Sequence, residues 1–89
     1  MQSTVLASKD QVSSRVGDEV VLLRLSTGVY YGLNAVGATI WAGLQERKSL
    51  EDIRDVILAE FEVTLEQCEQ DLLGVVKHLE EEGLVEVVG

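Results

Sequence analysis

The feature that most constrains this chain is a change of hydrophobic period at Asn34. Ahead of it, apolar residues come in short runs bounded by turn residues, the pattern of strands; beyond it they recur at helical spacing. "VVLLRL", Val20 to Leu25, is a continuous apolar strand. Ser26, Thr27 and Gly28 then reverse the chain, with Gly28 available for positive φ, so "VYYGL", Val29 to Leu33, pairs antiparallel with the strand before it. "QVSSRVG", Gln11 to Gly17, alternates weakly and reads as an edge strand, followed by Asp18 and Glu19 as turn material.

Three helices follow, each with its own cap. Asn34 caps the first, whose apolar positions are Val36, Ile40, Trp41 and Leu44, with Gly37 and Ala38 keeping one side small. Ser49 caps the second, striped by Ile53, Val56, Ile57 and Phe61. Thr64 caps the third, with Gln67 three residues on; its stripe is Leu65, Cys68, Leu72, Val75, Val76 and Leu79, and Gly83 stops it. "LVEVV" after Gly83 fits either a short last strand or a tail laid on the core. Strands segregated from helices predict an α+β domain of winged-helix-like form, with a three-stranded antiparallel sheet at the N-terminal end and three helices covering one face.

A chain of 89 residues without a linker is one domain, residues 1–89, of which 1–9 read as a flexible lead. Its 46% hydrophobic and 26% charged residues are the balance of a folding globular chain. No apolar run approaches a membrane span and the start carries no basic, apolar signal, which predicts a cytoplasmic protein. The net charge of −9 is uneven: residues 1–48 hold five basic against four acidic side chains, residues 49–89 two against twelve. Phosphate backbones are repelled by such a surface, which counts against nucleic acid as a partner even for a helix-turn-helix relative.

No catalytic constellation emerges, and the chain reads as a non-enzyme. His78, the only histidine, turns away from the buried stripe without a carboxylate or nucleophile at a useful spacing. Cys68 sits on the stripe as a small core hydrophobe, and as the single cysteine it makes neither an internal disulfide nor a metal cluster. Glu80, Glu81 and Glu82 point about 100° apart on a helix and cannot converge on one ion. The glycines do not follow a βαβ nucleotide fingerprint. No cofactor or metal is predicted.

Two of the four aromatic residues, Tyr30 and Tyr31, are spent side by side on one strand, where neighbours face opposite ways. One packs against the helices and the other is left outward and available. If that strand is also a sheet edge, its unpaired backbone groups form a template for an incoming peptide strand, and Gly32 leaves room for it. On the third helix, Leu73 lies at the border of the buried stripe with Glu69, Val76, Lys77 and Glu80 nearby, a candidate wall for such a groove.

These residues carry a resemblance. The block Leu-x-Thr-Gly-x-Tyr-Tyr-x-Leu-Asn at Leu25 to Asn34, the Gly-Ala-x-Ile-Trp run at Gly37 to Trp41, and the elements Asp71-Leu72-Leu73 and Gly83-Leu84-Val85 resemble the pyrroloquinoline-quinone synthesis protein D family. Within it they are most similar to the stand-alone leader-binding half of the split B protein of lasso peptide biosynthesis, over about Gln11 to Val85. The resemblance implies that a precursor's leader peptide adds as a strand beside the third strand and rests on the third helix. By position this gives a peptide site of Val29, Tyr30, Tyr31, Gly32 and Leu33 with Glu69, Leu73, Val76 and Lys77. It also implies three partners: the precursor leader, a separate cysteine-protease-like leader peptidase, and the macrolactam-forming enzyme. A peptide chaperone for a radical enzyme in quinone-cofactor biosynthesis is the alternative within the family. An acyl carrier with Ser49 as attachment point is the rival outside it, opposed by Lys48 where the carrier's aspartate belongs and by the apolar hairpin.

Overall fold

The computed structural model describes residues 4–88. The elements run β1 (Thr4–Ala7), β2 (Gln11–Val16), β3 (Glu19–Arg24), β4 (Val29–Leu33), α1 (Ala35–Gln45), α2 (Leu50–Glu60), α3 (Leu65–Glu81) and β5 (Val85–Val88). Strands β2, β3 and β4 form the antiparallel meander in that order, leaving β2 and β4 as its edges, and the three helices cover one face. Gly28 sits at φ 71° in the β3–β4 turn, a conformation open to glycine at little cost, and its N–H closes onto the Arg24 carbonyl.

All three caps form. Asn34 Oδ1 accepts from the Gly37 N–H, Ser49 Oγ from Asp52 and Thr64 Oγ1 from Gln67, each satisfying a donor that the first turn of a helix leaves open. Gly83, at φ 72°, ends α3, and the Arg24 guanidinium lies against it where a Cβ would come within 2.6 Å of Cζ. Position 83 favours glycine for its backbone, since the guanidinium is the free end of a flexible side chain that can shift aside.

A second, two-stranded sheet pairs β1 with β5 from Thr4↔Val88 to Ala7↔Val85. The flexible lead expected over residues 1–9 is corrected here: Met1–Ser3 lie outside the described residues, while Thr4–Ala7 is a strand whose Val5 enters the core. Four residues are too few to show a period, and their partner lies at the other end of the chain, so local pattern gave no sign of the pairing. The same pairing settles "VEVV" as a strand. The Asp10 carboxylate then fastens the β1–β2 junction to the β3–β4 turn by accepting from the Ser26 N–H, the Ser26 hydroxyl and Arg24 Nε.

The core lies between the meander's inner face and the helices. Leu22, Ile40, Trp41, Leu44, Ile53, Ile57, Leu72, Leu79, Leu84 and Cys68 are its most enclosed side chains. Trp41 is thus the core anchor its size suggested, and burial pushes the Cys68 thiol above its ordinary pKa, which makes it a poor nucleophile. Among the described residues, no helix is long and apolar enough to cross a membrane.

Candidate functional site

The tyrosine pair divides between the two faces of β4. Tyr31 points toward the helices, where its hydroxyl donates to Glu82 Oε2 at 2.8 Å and its ring meets the His78 ring edge-on at 6.5 Å. That hydrogen bond, favouring the neutral phenol, raises the Tyr31 pKa. Tyr30 points outward and is 69% exposed.

Register extends this outward position into a row. Val12 on β2 lies opposite Leu23 on β3, which lies opposite Tyr30 on β4. Val12 is 53% exposed, and Leu25 and Val16 are also bare on this side of the molecule. The acidic residues belong mainly to the helices, so the outer face of the sheet is an apolar, charge-poor surface that ends at the free edge of β4.

On the inner side, α3 packs on α1, α2 and β5, while β4 reaches it through the Tyr31 side chain rather than backbone to backbone. Just beyond the end of β4, between the start of α1 and α3, lies a cleft of 340 Å³ lined by Asn34, Val36, Gln70, Asp71, Gly74 and Val75. Asp71, Gly74, Val75, His78 and Glu82 recur every three or four residues and form one helix face, the face that looks toward β4.

The sequence-chosen residues divide accordingly. Val29, Tyr30, Tyr31, Gly32 and Leu33 are brought together as the edge strand, with Leu33 buried and the others at least partly open. The four chosen on α3 are not brought to that edge. Glu69 pairs with Arg54 on α2 at 3.6 Å, Val76 is buried in the core, and Leu73 and Lys77 are exposed, all about 100–180° around the helix from His78. A stripe has two borders, and sequence alone did not tell which one meets β4. Gly74, which interrupts an otherwise favourable helix, is the one feature in the sequence that sets the border facing β4 apart.

Elsewhere, a smaller hollow of 190 Å³ lies between α1 and α2, remote from β4 and lined in part by Arg15, Ala42, Ile53 and Val56. Among the described residues, no three His, Cys, Asp or Glu side chains are placed to hold a metal ion.

A three-stranded sheet with one edge open beside a helix, backed by three helices, defines an α+β domain of winged-helix type. The family model of Coenzyme PQQ synthesis protein D (PqqD) matches residues 19–85, and the chain belongs to that family. Among solved structures it is similar to TbiB1, determined in complex with the TbiA(beta) leader peptide, with TM-score 0.85 and 44% identity over 91% of this chain and 94% of that one. It is also similar to a lasso peptide synthetase B1 complexed with the leader peptide, with TM-score 0.84 and 25% identity over 93% of this chain and 98% of that one. No curated protein matches it in sequence.

Proposed function

We propose that this chain binds the leader segment of a ribosomally made precursor peptide as a strand added to β4. It then presents that segment, in the cytoplasm, to the separate leader peptidase and macrolactam-forming enzyme of lasso peptide biosynthesis. The observation that carries this reading is the free edge of β4, which ends at Leu33, one residue before Asn34 in the wall of the cleft on α3. An edge strand offers main-chain hydrogen bonds for affinity, and alternate side chains of the added strand meet different surfaces for selectivity. Gly32 assists: a Cβ there would have no neighbour within 4 Å, so the approach to the edge is open.

That TbiB1 and the lasso peptide synthetase B1 were both determined with a leader peptide supports the same reading. Similarity to the lasso peptide synthetase B1 across nearly the whole chain, at TM-score 0.84 and 25% identity, favours the lasso context over the quinone-cofactor one. Residues 1–89 act as a single recognition domain without catalysis of their own. The peptide site comprises Val29 to Leu33 together with Asp71, Gly74, Val75 and His78.

The outer face has a separate role in this account. A strand added to β4 presents half its side chains beside Tyr30, extending the Val12–Leu23–Tyr30 row onto the leader itself. A peptidase with an apolar surface that docks there contacts carrier and leader together, and so distinguishes the loaded domain from the empty one.

Isothermal titration with the TbiA(beta) leader peptide tests the function. Saturable binding with about 1:1 stoichiometry, lost on scrambling the leader sequence, is the expected result. Equal heats from leader and scrambled peptide contradict it.

A further inference from the structure

Gly74 has no structural reason within the chain to be glycine. It lies inside α3 with a helical backbone, where glycine is less favourable than alanine because it gives up more backbone freedom on folding. Packing does not require it either. At Gly43, by contrast, a Cβ would press on Ile53 Cγ1 at 2.5 Å, so the α1–α2 contact explains that residue; at Gly74 a Cβ would meet nothing within 4 Å. Gly74 is exposed, and it lines the cleft between α3 and the start of α1, where β4 ends. The space its missing side chain leaves is on the side where a strand would be added.

Register says which part of that strand reaches it. Val29, Tyr31 and Leu33 face the helices, and residues directly opposite them on an added antiparallel strand face the same way. Tyr31 already meets His78 and Glu82, toward the C-terminal end of α3. The next helix-facing position, at Leu33, leads to the Asn34 end of the cleft, where Asp71, Gly74 and Val75 form the floor.

We propose that Gly74 is a specificity-determining residue. It is kept bare so that a large side chain of the leader, at the strand position opposite Leu33, lies directly on α3 between Val36 and Val75. This rests on the strand-addition reading and adds to it a steric rule: the leader position opposite Leu33 carries a long aliphatic or aromatic residue, and filling the space at 74 excludes it.

The test is a pair of variants, Gly74→Ala and Gly74→Leu, measured by thermal melt and by titration with the TbiA(beta) leader peptide, intact and with each large apolar residue cut to alanine in turn. Both variants melt at or above the parent temperature, since each improves helix propensity. Affinity for the intact leader falls about tenfold for Gly74→Ala and further for Gly74→Leu. One alanine-substituted leader, and only one, binds Gly74→Leu at least as tightly as it binds the parent. Parent-like affinity of both folded variants for the intact leader overturns the inference while leaving strand addition standing. Failure of the leader to bind the parent chain at all overturns both.

Discussion

The hydroxyl of Tyr31 on β4 donates to the carboxylate of Glu82, the C-cap residue of α3, and thereby ties the edge strand to the end of that helix. This one side chain links the sheet to the helix face that meets it. Tyr31→Phe keeps the ring and its edge contact with His78 but loses the hydrogen bond. The melting temperature should fall by no more than a few degrees, because the pair is partly solvated. Leader affinity should change less than threefold. A larger loss of affinity in a folded Tyr31→Phe protein would mean that the hydroxyl itself contacts the leader.

The two borders of the α3 stripe make opposite predictions. Leu73 is 50% exposed on the border away from β4, so Leu73→Ala should cost about 1 kcal/mol or less and leave leader affinity unchanged. Val75 lies on the cleft border, and Val75→Ala should weaken leader binding about tenfold at a similarly small loss of stability. Leu72, fully enclosed between them, should lose roughly 2–5 kcal/mol on truncation to alanine. Chemical denaturation and titration of the three variants check this, and a selective affinity loss in Leu73→Ala would return the leader to the other border.

Much of the fold was legible because each step rested on a local signal. Asn34, Ser49 and Thr64 announce their helices by residue type and position, and Gly28 and Gly83 mark a turn and a stop that need positive φ. The β1–β5 pair was not legible, since Thr4–Ala7 finds its partner about eighty residues away. The site was half legible for a related reason. Period two guaranteed that Tyr30 and Tyr31 would part company, and the edge position of β4 followed from the meander. Which border of α3 faces β4 depends on how the helix is rolled against α1 and α2, a tertiary fact that no single stripe contains.

The outer face gives a third prediction. Val12 lies two strands from the β4 edge, so Val12→Lys should leave leader affinity intact and change stability by about 0.5 kcal/mol. Leader removal by the peptidase should nevertheless slow about tenfold or more, because a charge now interrupts the apolar row. Single-turnover cleavage of leader bound to the parent and to the variant measures this, and equal rates contradict a docking role for that face.

The Asp10 fastening has a pH signature. Hydrogen bonds from Ser26, chiefly its hydroxyl, together with the nearby Arg24, hold the Asp10 carboxyl below its ordinary pKa. A carboxylate whose pKa is lower in the folded than in the unfolded protein adds stability above the unfolded value, and that contribution is lost as pH falls through the folded one. The melting temperature of Asp10→Asn should therefore lie below the parent's at pH 7, and the difference should shrink below about pH 4. A difference that stays constant to pH 2 contradicts this.

Strand addition itself is tested most directly by hydrogen–deuterium exchange of the chain with and without the TbiA(beta) leader peptide. The amides of Val29 to Leu33 that point away from β3 are open to solvent in the empty domain and become hydrogen-bonded when a strand is added. The account predicts slowed exchange in residues 29–33 upon leader binding, accompanied by weaker protection over 71–78 on α3 and none along β2. Leader binding that leaves 29–33 exchanging at the free rate, with protection at β2 or between α1 and α2 instead, would contradict it.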